Sequence, residues 1–288
     1  MVHAYDGLLS YQIRRRFWPR SGARSAFFAR LSRLVAAGFL RRKRLESPTG
    51  KGSGPSLITL GREAHPILKA QLGLTGADIR RLRHAFVPML WLHEAAVRDI
   101  RLTLELACEA SGRVALIAWQ NEADLRRAPI KVKMSTTSVD LVPDGIFTLG
   151  VGERRKRYYL ELDRATEMAP QRWKTRVKAY LHHIGREPTP VLIVVPHQQR
   201  ADRLARWIQE ATTEVGGSPA LFAIALRENV RENTILGAPI WQVVGEPGPS
   251  SLLPPAIPLG QPPATPTEPG ARPTSWAAFL LGEEMTRA

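Results

Sequence analysis

Apolar residues at the start of the chain recur first at helical spacing and then in short strand-like runs. The pattern predicts, in order, helices over residues 11–18 and 22–37 and strands over residues 39–45 and 57–60. Ser10 suits the cap of the first helix, Pro19 its end, and Gly38 the end of the second. The first 70 residues are therefore predicted to fold as two helices followed by a β-hairpin.

The pattern changes after residue 76, where helical and strand-like segments alternate. The predicted elements are helices over 78–86 and 88–110, strands over 113–119, 139–149 and 157–162, a helix over 169–184, a strand over 191–195, a helix over 204–213 and a strand over 220–226. This order predicts an α/β protein, α+β overall, whose mixed sheet resembles the restriction-endonuclease fold.

Residues 245–288 carry a different composition. Ten prolines lie between residues 247 and 273, and this density is incompatible with a regular helix or strand. The expected organisation has three parts: a winged-helix domain over residues 1–70, a nuclease-like domain over 76–244, and a Pro-rich, disordered tail over 245–288. A short amphipathic helix is conceivable at 275–281.

Charge makes the first part a candidate nucleic-acid interface. The whole chain has 41 basic and 26 acidic residues, and residues 1–70 hold 14 lysines and arginines against three acids, a net charge of +11. Such a surface favours polyanions through phosphate neutralisation and counterion release. Helix, helix and a cationic hairpin is also the winged-helix order, which places the second helix in the major groove. The candidate DNA-binding residues lie on that helix, on the hairpin and in its loop: Ser25, Arg30, Arg33, Arg41, Arg42, Lys43 and Lys51.

One element of a winged helix has no counterpart in the sequence. Such modules usually begin with a further helix, but only nine residues precede Ser10. Residues 5–9 could be its remnant, the protein could begin further upstream, or a partner could complete the core.

Acidic residues in the second part form a candidate metal site. Nucleases with the PD-(D/E)xK motif hold a divalent cation with an Asp on one strand and a Glu on the next, and a Lys lies two residues after the Glu. Here Asp144 lies in a Pro-Asp-Gly turn, followed by Glu161 and Asp163 on one strand face, and Glu94 is a further candidate ligand. Mg²⁺ or Mn²⁺ is the expected cofactor of such a site.

The same residues also allow a structural interpretation. Asp163 occupies the position of the motif's lysine, so Lys174 or Lys178 on the next helix would have to replace it. Alternatively, Asp144 is only a turn residue, and Glu161 and Asp163 pair structurally with Arg164, Arg172 or Lys174. The missing lysine favours an inactive site over an active nuclease.

Residues across the chain resemble the replication-relaxation family of bacterial and plasmid proteins. The resemblance extends over roughly residues 8–226 and is carried by residues 31–40, 57–61, 142–146, 159–166 and 178–181. It implies a winged helix joined to a PD-(D/E)xK nuclease-like domain, and a role in replication, relaxation or mobilisation of a plasmid or integrative element.

These observations predict a DNA-binding accessory or regulatory protein of a mobile element. The first alternative is a metal-dependent endonuclease or nickase, and the second is a transcriptional repressor whose nuclease-like domain only dimerises. The expected partners are double-stranded DNA and replication or conjugation proteins, and a homodimer stays open. The longest apolar run, residues 191–195, is of strand length, so no membrane span is expected and a cytoplasmic location is the default.

Overall fold

A computed structural model describes residues 5, 7–19, 24–47, 54–82, 91–134, 137–166, 169–184 and 188–253. The chain divides into two compact units, residues 1–102 and residues 103–288. The division lies inside a long helix, whereas the sequence predicted a domain boundary between residues 70 and 76. Each unit has its own sheet and its own buried core.

Unit 1 contains both predicted helices and the predicted hairpin. Its elements are β1 (Leu8–Leu9), α1 (Ser10–Phe17), α2 (Arg24–Ala36), β2 (Leu40–Arg44), β3 (Ser56–Leu60), α3 (Ala64–Leu72), α4 (Gly76–Leu82) and the first half of α5 (Trp91–Ser111). Strands β1, β3 and β2 form an antiparallel sheet in that spatial order. Gly38 follows α2 with a φ of 74°, which is the left-handed conformation that ends helices.

The start of α1 differs from the prediction that Ser10 caps it. Ser10 is the first helical residue, and the flanking position is Leu9. The Leu9 amide donates to the Gln12 side-chain oxygen at 2.9 Å, which is the bond that the residue at the third helical position supplies in a capping box.

The first half of α5 packs against the beginning of the chain. The Gln12 amide donates to the Ala95 carbonyl at 2.9 Å and to Asp99 Oδ1 at 2.9 Å, and Gln12 is fully buried. Arg98 Nε donates to the Tyr5 carbonyl at 3.0 Å. Helix α5 thus covers β1 and α1. These are the elements before which the sequence predicted no further helix.

Unit 2 is built on a seven-stranded mixed sheet. After the second half of α5 its elements are β4 (Val114–Asn121), α6 (Glu122–Arg127), β5 (Ile130–Met134), β6 (Thr137–Leu141), β7 (Gly145–Val151), β8 (Arg154–Leu162), α7 (Pro170–Ile184), β9 (Val191–Val195), α8 (Gln198–Val215), β10 (Phe222–Leu226), β11 (Trp241–Val243) and β12 (Pro249–Ser250). The spatial order is β12-β11-β10-β9-β8-β7-β4, and β8, β9 and β10 run parallel. The predicted α/β class is confirmed.

Two predicted segments of unit 2 differ in detail. The interrupted strand over residues 139–149 is two strands in different sheets, since β6 pairs with β5 while β7 joins the large sheet. The folded part also extends into the predicted tail, where Leu252 is buried and the Leu253 amide donates to the Leu236 carbonyl at 2.9 Å. The predicted helix at 275–281 and the rest of the Pro-rich tail lie outside the described residues.

The central strand β9 is buried along its whole length, as its continuous apolar run predicted. The apolar stripes of α7 and α8 contribute to the same core, with Trp173, Val177, Leu204 and Ile208 buried. Within the part of the chain that is described, every helix falls short of the length or the apolar character needed to cross a bilayer.

Candidate functional site

Three acidic residues of unit 2 lie in one row across neighbouring strands. The strand register pairs Asn121 with Gly145 and Gly145 with Leu160. Glu122 directly follows the first of these positions, Asp144 precedes the second, and Glu161 follows the third. The register therefore aligns Glu122 just after β4, Asp144 just before β7 and Glu161 on β8. Glu122 was not predicted, because strand register cannot be read from local spacing.

Asp144 is a buried link between β7 and β8. Its carboxylate Oδ2 accepts the Leu162 amide at 2.6 Å, and its own amide donates to the Leu160 carbonyl at 3.1 Å. The side chain is 6% exposed. These hydrogen bonds connect the start of β7 to the end of β8, and Asp144 lies close enough to Glu161 for their charges to interact.

Glu161 has partners on both carboxylate oxygens. The Arg176 guanidinium donates to Oε2 at 2.5 Å, and the Tyr180 hydroxyl donates to Oε1 at 2.6 Å. Both partners lie on α7, one helical turn apart, so they share the helix face that covers β8. Neither was predicted as a partner of Glu161, although Tyr180 belongs to the predicted apolar stripe of this helix.

Burial raises the pKa of the Glu161 carboxyl to about 7. The Arg176 guanidinium and the Tyr180 hydrogen bond oppose this rise, whereas the negative charges of Asp144 and Glu122 add to it. The same pair raises the pKa of Arg176, so the arginine stays charged. The row of acids therefore contains one carboxyl that takes up a proton near neutral pH.

The raised pKa of Glu161 predicts a contribution of this residue to the pH dependence of stability. The folded pKa lies above the ordinary value of 4.5, so the folded state binds the extra proton, and the free energy of unfolding should fall as pH rises from about 4.5 to about 7. Urea denaturation of the wild type and of Glu161→Gln across this range measures the effect. Their difference removes contributions common to both proteins, such as that of His183, whose pKa is lowered by burial. A flat difference curve would contradict the raised pKa.

Asp163 is held in a second, separate ion pair. Arg200 donates to it from Nε at 2.6 Å and from Nη2 at 3.0 Å, and both side chains are almost fully buried. The arginine lies on α8 and its guanidinium also lies 5.2 Å from the centre of the Trp207 ring. Asp163 thus neutralises the buried Arg200, a partner that was not predicted from the sequence.

The two lysines proposed to assist the acids contact α8 instead. Lys174 lies 2.7 Å from Glu210, and Lys178 pairs with Glu214. The cation that contacts Glu161 is Arg176. Glu94, considered as a further ligand, pairs with Arg98 on its own helix at 3.1 Å.

The predicted DNA-binding residues of unit 1 are exposed wherever the structure describes them. These are Ser25, Arg30 and Arg33 on α2, and Arg41, Arg42 and Lys43 on β2. Lys51 lies outside the described residues. The Arg42 guanidinium reaches the Ser32 hydroxyl at 3.4 Å, which connects the strand to the helix. Strand alternation turns Arg41 and Lys43 to the opposite face of the hairpin.

Comparison with known proteins identifies one family. The family model described as replication-relaxation matches residues 2–189, which include unit 1 except its first residue and the acidic row of unit 2. No curated protein and no solved structure gives a significant match.

Proposed function

The chain belongs to the replication-relaxation family, and we propose that it is a DNA-binding accessory or regulatory protein in the replication, relaxation or mobilisation of a plasmid or integrative element. The observation that supports this proposal is the exposed basic surface of α2 and β2 in unit 1. The second unit would contact DNA or a protein partner.

The charge distribution of unit 1 supports duplex DNA as the ligand. Residues 7–45 contain eleven lysines and arginines and no aspartate or glutamate. Arg30 and Arg33 extend from the exposed face of α2, where long cationic side chains beside the small Ser25 and Ala29 can reach phosphates or base edges in a major groove. The strand order β1-β3-β2 beside two helices is compatible with a winged-helix module, and the proposal then places the second helix in the groove.

A metal-dependent nuclease is the second candidate, and the row of Glu122, Asp144 and Glu161 is the observation that favours it. Carboxylate oxygens are the ligands that Mg²⁺ and Mn²⁺ prefer. However, both oxygens of Glu161 are hydrogen-bonded, and Arg176 already supplies a positive charge there. These hydrogen bonds leave one lone pair on each Glu161 oxygen, so a divalent cation would have to bind beside the positive charge of Arg176, which disfavours it, and Asp163 pairs with Arg200.

One experiment separates the two candidates. Purified protein is incubated with supercoiled plasmid, with and without Mn²⁺, and analysed on a native gel and, after removal of the protein, on a second gel. We expect the protein to retard the plasmid and to leave it supercoiled, with retardation that weakens as salt is raised. Nicking that requires Mn²⁺ and disappears in Glu161→Gln would establish the nuclease instead. In a separate footprinting experiment, protection confined to one promoter fragment would favour a repressor.

A further inference from the structure

Four aromatic rings form a continuous row between α1 and α2 of unit 1. The ring centres of Phe17 and Trp18 are 5.9 Å apart, those of Trp18 and Phe27 are 5.3 Å apart, and those of Phe27 and Phe28 are 5.0 Å apart. Phe27 is buried in the core of unit 1, and Trp18 packs against that core. The middle of the row is therefore held rigidly by the fold.

The two ends of the row are exposed. Phe17 is 52% exposed and Phe28 is 40% exposed, so both rings present an apolar face to solvent. An arginine accompanies each ring, with the guanidinium carbon of Arg16 5.8 Å from the centre of Phe17 and that of Arg24 5.8 Å from the centre of Phe28. The exposed surface thus combines aromatic rings and positive charges.

We propose that Phe17 and Phe28 are a stacking site for unpaired bases of DNA, next to the duplex that α2 contacts. This inference rests on the proposed function. Aromatic rings beside arginines bind single strands because the rings stack on bases while the cations attract the phosphates. A fully paired duplex conceals its base faces within its own stack, so the rings contact only bases that have been separated or are unpaired.

The charge of the surroundings favours this ligand over a protein. The stretch of residues 7–45, which contains the whole row, has no acidic residue. A protein partner would need an apolar patch ringed by acidic side chains, whereas a single strand of DNA supplies both an apolar base face and a phosphate at every nucleotide. The position of Phe28 on α2, one turn from Ser25 and Ser32, places the ring beside the face assigned to duplex contacts.

The test compares two probes that share one strand with a run of thymines. In the paired probe the complement covers the whole strand, and in the gapped probe the complement leaves the thymines unpaired. Fluorescence anisotropy measures the affinity of the full-length protein for each probe. Because the stacking of each base contributes about a tenfold factor or more in affinity, the wild type should prefer the gapped probe by at least about tenfold. Phe17→Ala combined with Phe28→Ala should abolish the preference and leave the affinity for the paired duplex unchanged.

Two matched variants test whether the aromatic rings cause the preference for the gapped probe. Phe17→Trp with Phe28→Trp keeps the aromatic faces and should keep the preference. Leu34→Ala removes a comparably exposed apolar side chain of α2 that has no ring, and should behave like the wild type. Equal wild-type affinity for both probes would overturn the stacking site. So would a preference for the gapped probe that persists in the alanine pair, or an equal loss of affinity for both probes in that pair with an unchanged melting temperature. Failure of the proposed function would look different, since the wild type would then bind neither probe.

Discussion

Asp163→Ala is expected to lower the free energy of unfolding by about 3–5 kcal/mol, because it would leave a buried arginine without its counter-ion. The Arg200 side chain is 1% exposed, and a guanidinium does not lose its proton in a protein interior. Its two hydrogen bonds to Asp163, at 2.6 and 3.0 Å, would both be lost. Chemical denaturation followed by circular dichroism measures the change.

Two companion variants separate this role from metal binding. Asp163→Asn keeps the shape and an acceptor oxygen, so it should be less destabilising than alanine. Adding Arg200→Met to Asp163→Ala removes the orphaned charge and should recover much of the lost stability, since replacement of a whole buried pair is often close to neutral. An Asp163→Ala protein as stable as the wild type would contradict the structural role and return Asp163 to the candidate metal ligands.

Arg30→Ala combined with Arg33→Ala is expected to weaken duplex DNA binding by about 100-fold. Each arginine contact to a phosphate or a base edge contributes roughly 1–3 kcal/mol, and two such contacts acting independently account for the loss. Both side chains are exposed, so their removal should leave the melting temperature of the protein unchanged. Fluorescence anisotropy with a labelled duplex measures the affinity, and an unchanged affinity would mean that α2 does not contact DNA.

Much of the architecture could be predicted because it depends on local patterns. The continuous apolar run of β9 identified a central buried strand, and the helical stripe through Trp173 and Val177 located α7. Gly38 correctly marked the end of α2. These signals depend on periodicity and on the conformations open to single residues, so the sequence alone contains them.

The remainder depended on contacts between distant segments. Arg200 lies 37 residues from Asp163, and Gln12 lies 83 residues from Ala95. Spacing along α7 favoured Lys174 and Lys178 as partners of the acids, but helix packing turned them to Glu210 and Glu214 and brought Arg176 to Glu161. Which side of a helix faces the sheet is set by packing, and two neighbouring flanks of one helix cannot be distinguished from their charge alone.

The carboxylates of the predicted metal site also have a different interpretation once their partners are known. In the sequence, Asp144, Glu161 and Asp163 matched the carboxylates of a nuclease site that lacks its lysine. In the structure, each has a defined partner: the Leu162 amide, the Arg176 and Tyr180 side chains, and Arg200, respectively. The three carboxylates are therefore satisfied by other groups of the protein.

The most direct test of DNA binding through α2 is the salt dependence of affinity for one duplex, compared between two charge-matched variants. Arg30→Ala with Arg33→Ala removes two charges from α2, whereas Arg113→Ala with Arg206→Ala removes two exposed arginines from unit 2. The slope of the logarithm of affinity against the logarithm of salt should become shallower by about 2 in the α2 pair, because each lost phosphate contact contributes about 1. The unit 2 pair should keep the wild-type slope and affinity. Equal slopes and affinities for the wild type and the α2 pair would contradict the account.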